Sequence, residues 1–285
     1  MSSSLTLFDL VPGKVLVDRY RILRPHRENG MAAAFAVEDQ EDSSRAEVQV
    51  FPSTLFEDRD QAQGFAERLT AWRGLASSAV LKVREIEILK DATVLMVTDF
   101  PIGTSLRGRM TDSPRMDPAD VVELGLQLLE GLHTVHLAGQ VHGDIKPASI
   151  YLRSDGGGAQ LVDGGVTPGL WAAKHMGTRT TLIGTPFYSP LEQFSGDSPS
   201  VSSDLYGLGT LMYELLTGVL PWQGRGFIEV FQSKMQAGAP PMSERAPGVL
   251  VPDTLEAAIA TSLRAKQAER YASADHFAQA LSQQA

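Results

Sequence analysis

The loop at residues 141–152 most constrains what this chain can fold into. It reads Val141-His142-Gly143-Asp144-Ile145-Lys146-Pro147-Ala148-Ser149-Ile150-Tyr151-Leu152, and it sets His, Asp and Lys side chains close together. Before it, Val121, Gly125, Leu128, Leu132 and Val135 recur at helical spacing to about residue 137. Asp117-Pro118 opens that helix as N-cap and first helical position. After it, 150–152 and 160–162 flank Asp155-Gly156-Gly157-Gly158 and read as strand, turn and strand, ending at Asp163.

The chain changes character on either side of residue 101. Residues 1–18 have no clear period and read as a lead-in. From 19 to 100 the segments are short and β-like, with strands expected at 20–23, 33–37, 47–51, 83–89 and 94–99. One helix is expected at 58–74, carrying Phe65, Leu69 and Trp72 on one face. Pro101-Ile102-Gly103 punctuates the chain and marks a hinge near 99–103. Beyond it the pattern is helical. Residues 203–217 hold Leu205, Leu208, Leu211, Met212 and Leu215 and are stopped by Gly218 and Pro221. Shorter helices are expected at 226–236, 253–264 and 272–283, and 163–192 reads as one long loop. The expectation is α+β in two lobes. A five-stranded antiparallel small lobe with one main helix spans about 19–100, and a mainly helical lobe spans about 104–285.

Composition narrows the functional classes. A net charge of −9 argues against a phosphate-backbone binder, so no nucleic-acid partner is expected. The absence of cysteine excludes disulfides, thiolate zinc sites and a cysteine nucleophile, and fits a reducing compartment. No apolar run is long enough to span a bilayer, and the N-terminus has no basic segment followed by an apolar one. A cytoplasmic location is expected, either alone or as the cytosolic part of a longer protein.

The motifs in order resemble the eukaryotic-type Ser/Thr protein kinases, especially bacterial ones, over about 19–283. The loop at 141–152 resembles H-R-D-[LI]-K-P-x-N, with Gly143 for the Arg and Ser149 for the Asn. Gly184-Thr185-Pro186-Phe187-Tyr188-Ser189-Pro190-Leu191-Glu192-Gln193 resembles the end of an activation segment. Ser203-Asp204-Leu205-Tyr206-Gly207-Leu208-Gly209 resembles the opening of the central large-lobe helix, and Arg270 sits where the family pairs an Arg with the Glu at position 192. Asp204, Glu192 and Arg270 are thus expected to be structural. His142-Gly143-Asp144 also resembles small-molecule phosphotransferases such as aminoglycoside and choline kinases. Lys146-Pro147 and Gly184-Thr185-Pro186 favour the protein-kinase branch.

The resemblance implies a bilobal protein-kinase-like fold and assigns positions to the transfer chemistry, several of them altered. In the loop over the phosphates, Arg27, Asn29 and Ala32 stand where glycines belong, leaving only Gly30, and Glu28 would repel phosphates. Gln49 replaces the lysine that grips the phosphates. Glu47, on the same strand face, takes the place of a small residue against adenine and must stay wet or find a donor. Asp99 belongs to the hinge side of this degenerate nucleotide site. Arg68 stands at the helix position of the family's Glu, with Glu67 beside it. Asp144 matches the catalytic base, Lys146 its supporting lysine, and Thr185 the Thr linking both to the substrate loop. Asp163 of Asp163-Gly164-Gly165 matches the metal-binding Asp, and Ser149 is a weaker oxygen ligand than Asn. With Gly164 replacing a Phe that packs on the small-lobe helix, a mobile activation segment is expected. Gly143 removes the Arg that reads a phosphate there, so Thr178, Thr180 and Thr181 read as ordinary loop threonines or as sites for another kinase. His133 and His136 read as packing or surface histidines.

The leading expectation is a kinase fold without phosphoryl transfer, a pseudokinase that regulates or scaffolds a protein partner such as an active kinase. No cofactor is expected in that case. The alternative is a weakly active Ser/Thr kinase using Asp144, Lys146 and Asp163 with ATP and Mg²⁺ or Mn²⁺. A third reading is a homologue that binds nucleotide without catalysis.

Overall fold

The structure is a computed structural model that describes residues 9–28, 31–174, 185–236 and 238–283. The small lobe is built on an antiparallel sheet of β1 (Val15–Leu16), β2 (Tyr20–Glu28), β3 (Ala33–Asp39), β4 (Arg45–Phe51), β5 (Val83–Ile88) and β6 (Val94–Asp99), ordered β1-β2-β3-β4-β6-β5. The period-2 alternation of a strand explains its two faces. Tyr20, Ile22, Phe35, Val37, Val48, Val50, Leu95 and Val97 form one apolar layer. Glu47 and Gln49 point the other way, toward the large lobe.

The sheet has six strands among the described residues, where five were expected. The added strand is β1, whose two residues are too few to show a period, and Leu10 and Leu16 of this segment cover the outer apolar layer. Residues 9–18 are therefore part of the small lobe's packing. The strand beginning at Tyr20 also runs on to Glu28, past the expected end at residue 23.

Helix α1 (Arg59–Thr70) is capped by Asp58, whose carboxylate accepts from the Gln61 N–H, and buries Ala62, Phe65, Ala66 and Leu69. The helix stops before Trp72, which sits in a following 3-10 turn at 71–74. The chain then passes the hinge into β7 (Thr104–Ser105), α2 (Leu106–Asp112) and the long α3 (Pro118–Leu137). Helix α2 was not anticipated; Ser105 caps it by accepting from the Gly108 N–H. Strands β8 (Ile150–Leu152) and β9 (Ala159–Leu161) form the expected hairpin, and β8 also pairs with β7.

After Asp163 comes α4 (Val166–Ala173), inside what the sequence suggested was loop. Its brevity and its Pro168 conceal it from a periodicity reading. The large lobe continues with α5 (Leu191–Phe194), α6 (Val201–Thr217), α7 (Phe227–Gln236), α8 (Met242–Arg245), α9 (Asp253–Ser262) and α10 (Ala274–Ser282). Helix α6 is enclosed by its neighbours. Ser200 and Ser203 cap its start reciprocally, and Gly218 ends it at φ +76, a left-handed conformation that favours glycine.

Candidate functional site

The cleft between the lobes is lined from above by β2, β3 and β4. Register places Ala34 opposite Gln49, and Ala36 opposite Glu47. The sheet pairing slips between Pro25 and Arg27, so His26 occupies an irregular position of β2. A bulge turns consecutive side chains toward one face. His26 and Arg27 consequently both reach Glu47, passing over the small Ala34 and Ala36 of the intervening strand.

Arg27 is the centre of the site. Its Nε and Nη2 donate to the Glu47 carboxylate at 2.9 and 2.5 Å. Its Nη1 and Nη2 donate to the Asp163 carboxylate at 2.5 and 2.7 Å. Gln49 Nε2 adds a bond to Asp163 Oδ1 at 2.6 Å, and His26 Nδ1 lies 2.5 Å from Glu47 Oε2. Glu47 and Gln49 are both fully buried. The carboxylate placed where the family keeps a small apolar residue has found donors and lies dry. Burial works against ionisation of Asp163, but the Arg27 charge and the bonds from Arg27 and Gln49 outweigh it and hold the carboxyl below its usual range. Burial likewise opposes the Arg27 charge, and Asp163 and Glu47 reverse that effect, keeping the guanidinium protonated.

Beside this network the His26 ring stacks on Phe100 at the hinge, with centroids 4.7 Å apart, and faces Tyr151 of β8 at 6.4 Å. Asp99 is not brought to the network. Its carboxylate accepts from Arg84 Nε at 2.6 Å, at the outer edge of the hinge. Arg68 and Glu67 are exposed on α1, away from the buried Gln49. Gly30 lies outside the described residues.

The loop at 141–152 is assembled. Lys146 Nζ donates to Asp144 Oδ2 and, at 3.0 Å, to Thr185 Oγ1, while the Thr185 N–H reaches Asp144 Oδ1 at 3.3 Å. Asp204, at the start of α6, accepts from the backbone N–H groups of His142 at 2.9 Å and Gly143 at 2.7 Å. His136 Nε2 lies 2.9 Å from the same carboxylate, so this histidine belongs to the loop's support and not merely to surface or packing. His133 pairs with Asp275 at 2.9 Å. His142 is buried; its Nε2 faces the Val162 carbonyl and its Nδ1 accepts from the Asp144 N–H, which fixes the proton on Nε2. Ser149 Oγ shares its one proton between the carbonyls of Asp144 and Lys146 and accepts from the Lys146 N–H. That hydroxyl is committed to the loop.

The segment after Asp163 differs from expectation. The indole of Trp72 packs directly on Gly164, where a Cβ would stand 2.1 Å from its ring. Pro168 of α4 abuts Gly143, where a Cβ would meet its Cδ at 2.5 Å, and Gly169 approaches the Phe65 ring of α1. Residues 163–174 are thus a packed turn and helix where the sequence suggested loop, and residues 175–184 of the segment expected to be mobile lie outside the described residues. Thr178, Thr180 and Thr181 lie outside the described residues.

Farther along, Glu192 takes two bonds from Arg270, at 2.6 and 2.9 Å. Lys234 of α7, almost completely buried, donates to the carbonyls of Pro186, Phe187 and Ser189 and lies over the rings of Phe194, Tyr206 and Trp222. Burial and the nearby Arg270 push its ammonium down to about 7, with Glu192 opposing.

Sequence reasoning missed Arg27, His26, Trp72 and Lys234. Arg27 was noticed only as a lost glycine. The lone signal was an acid at 47 in need of a donor, which the strand pairing supplies.

The donor set does not fit a magnesium-bound nucleotide. Both Asp163 oxygens accept from Arg27, and the Ser149 hydroxyl is spent on the loop.

The protein kinase domain profile matches residues 38–280, which decides against the small-molecule phosphotransferases. The chain is 28% identical over 272 residues to a probable serine/threonine-protein kinase PknB of Corynebacterium glutamicum, covering 93% of this chain and 42% of that protein. It is 30% identical over 247 residues to serine/threonine-protein kinase pkn2 of Myxococcus xanthus, covering 84% and 29%. The chain thus spans less than half the length of these curated relatives. Among solved structures, the kinase domain of Mycobacterium tuberculosis PknI superposes with a TM-score of 0.76 at 19% identity, covering 97% of this chain and all of that one. By the extent of the profile match, this chain belongs to the protein kinase domain family, and its curated relatives are bacterial serine/threonine kinases.

Proposed function

We propose that this chain is a pseudokinase, a kinase-fold module that regulates or scaffolds a protein partner in place of transferring phosphate. The carrying observation is the Arg27 guanidinium bound at once to Glu47 and Asp163. The family generally uses ATP with Mg²⁺ or Mn²⁺, and phosphoryl transfer needs a metal on the Asp at position 163 and a cation on the phosphates. Here the protein's own cation sits on that Asp, and Gln49 supplies no charge. A divalent ion would have to displace a bidentate, mostly buried arginine, which is held by charge-assisted bonds on both sides. The partner in this reading is a protein, such as an active kinase or another signalling protein, in the cytoplasm.

The test is a thermal-shift titration with ATP and ADP, with and without Mg²⁺ or Mn²⁺. A ligand bound only by the folded state stabilises by RT ln(1 + [L]/Kd), about 2.7 kcal/mol at a hundredfold excess. No shift at millimolar nucleotide is expected. A saturable, metal-dependent shift removed by Asp163→Ala would sink the reading and favour a nucleotide-binding homologue.

A second reading is favoured by the assembled Asp144, Lys146 and Thr185. In it the chain is a weakly active Ser/Thr kinase in which Arg27, from β2, stands in for the missing lysine. Phosphate incorporation into a generic protein substrate, abolished by Asp144→Asn, would establish it.

A further inference from the structure

The arginines of the small-lobe sheet are paired with acids, with two exceptions. Arg19 holds Asp39 and Glu41, Arg21 holds Glu38, Arg27 holds Glu47 and Asp163, and Arg84 holds Asp99. Among the described residues no carboxylate pairs with Arg24 or Arg45. Arg24 donates only to the neighbouring Pro25 carbonyl, at 3.2 Å. Glu38 stands opposite Arg45 in the strand register, but Arg21 engages it. Both unpaired arginines line one cavity of about 580 Å³ at the outer edge of the hinge.

The rest of that cavity is suited to a specific ligand. Arg84 is fixed on three sides, by Asp99 at 2.6 Å, the Ser44 hydroxyl at 2.9 Å and the Arg45 carbonyl at 3.2 Å. Asp99, the only carboxylate lining it among the described residues, is the partner that Arg84 holds. Phe100, Pro101 and the half-exposed Ile102 form an apolar wall, and the Phe100 ring is braced by His26. In a chain of net charge −9, two uncompensated guanidinium groups on one concave wall mark a local exception. Guanidinium groups match phosphate oxygens in bidentate geometry better than any other side chain, and clusters of them read phosphorylated residues.

We propose that this hinge-edge cavity binds a phosphorylated segment of a protein partner. The phosphate lies between Arg24 and Arg45, and an adjoining apolar side chain rests on Phe100, Pro101 and Ile102. The inference rests on the reading of this chain as a partner-binding module. It makes the module a reader of phosphate placed by another enzyme.

The experiment is fluorescence anisotropy with a labelled, degenerate peptide pool carrying a fixed phosphothreonine, and its unphosphorylated counterpart, each titrated with the full chain without nucleotide. The phosphorylated pool should bind at least about tenfold tighter, and the difference should shrink at high salt. Arg24→Ser and Arg45→Ser should each weaken it, and the double variant should abolish the preference with an unchanged melting temperature. The charge-matched control Arg264→Ser/Lys266→Ser, both exposed in the large lobe, should bind like the parent. Equal binding of the two pools, binding retained in both single variants, or the same loss in the control would overturn the proposal. So would displacement of the peptide by ATP, which would make the cavity a nucleotide site. A nucleotide-dependent thermal shift with peptide selectivity intact would instead count against the pseudokinase reading alone.

Discussion

Arg27 of β2 and Asp163, on the other side of the cleft, form a bidentate ion pair that ties the small lobe to the large one. Each group is mostly buried, with 12% and 11% of its side chain exposed, and each would be costly to leave there alone. The pair is therefore a structural commitment as well as an obstacle to nucleotide. Arg27→Ala should cost about 3–5 kcal/mol in urea denaturation, because it strands two carboxylates. Arg27→Lys should recover only part of this, since one ammonium cannot present a planar fork to both acids.

The same pair predicts a way back to nucleotide binding. Arg27→Gly, Glu47→Ala and Gln49→Lys combined remove the internal cation and both misplaced polar groups and return a lysine to β4. A thermal shift with ATP and Mg²⁺ should appear in the triple variant and be absent from the parent. If the triple variant folds and shows no shift, features other than this network block the site.

Trp72 and Gly164 should behave as a compensating pair. Trp72→Ala empties the space above Gly164 and should cost about 3–5 kcal/mol. Gly164→Phe alone should also destabilise, because a Cβ there lies 2.1 Å from the indole. Placed together, the two changes should cost less than the sum of the single costs, and a double-mutant cycle in urea measures the difference.

Asp163 and Lys234 set the pH dependence in two separate windows, and in both of them stability rises with pH. The pKa of Asp163 is lowered in the folded state, so its contribution is complete above its unfolded value of about 3.9 and is lost as pH falls through the lower folded value. Lys234 is lowered to about 7 from 10.5, so between those values the folded protein releases a proton that the unfolded chain keeps. Stability should then rise with pH across that window. Urea midpoints should climb in the parent from neutral to alkaline pH and stay flatter in Lys234→Met.

Motif spacing made the large lobe legible. Asp144, Lys146 and Thr185 come together, as do Glu192 and Arg270, because short loops and one enclosed helix leave these residues few places to go. The small-lobe site was less legible, for a physical reason. Position 27 reads as a lost glycine in any motif comparison, and its reach depends on an irregular register at His26 that no periodicity records. Trp72 lies just past the end of α1, so its direction follows from a tight turn and not from the helical face on which it was counted. Helix α4 was hidden by the preceding Gly164-Gly165, by Pro168 and by Gly169, which signal loops in isolation but here let a helix settle against the loop at Gly143 and the ring of Phe65.

The two alanines beneath Arg27 carry a consequence for recognising other chains of this kind. Ala34 and Ala36 hold no charge, yet a branched side chain at either would lift the guanidinium off the floor it crosses. An internal cation of this sort thus depends on a small residue at two alternate positions of the strand that separates it from its acid. A chain with arginine at 27 and acid at 47, but valine at 34 and 36, would have to hold those charges some other way. Side-chain volume on a strand between the charged ones, and not charge itself, is what would distinguish a sealed cleft from an open one when only sequences are compared.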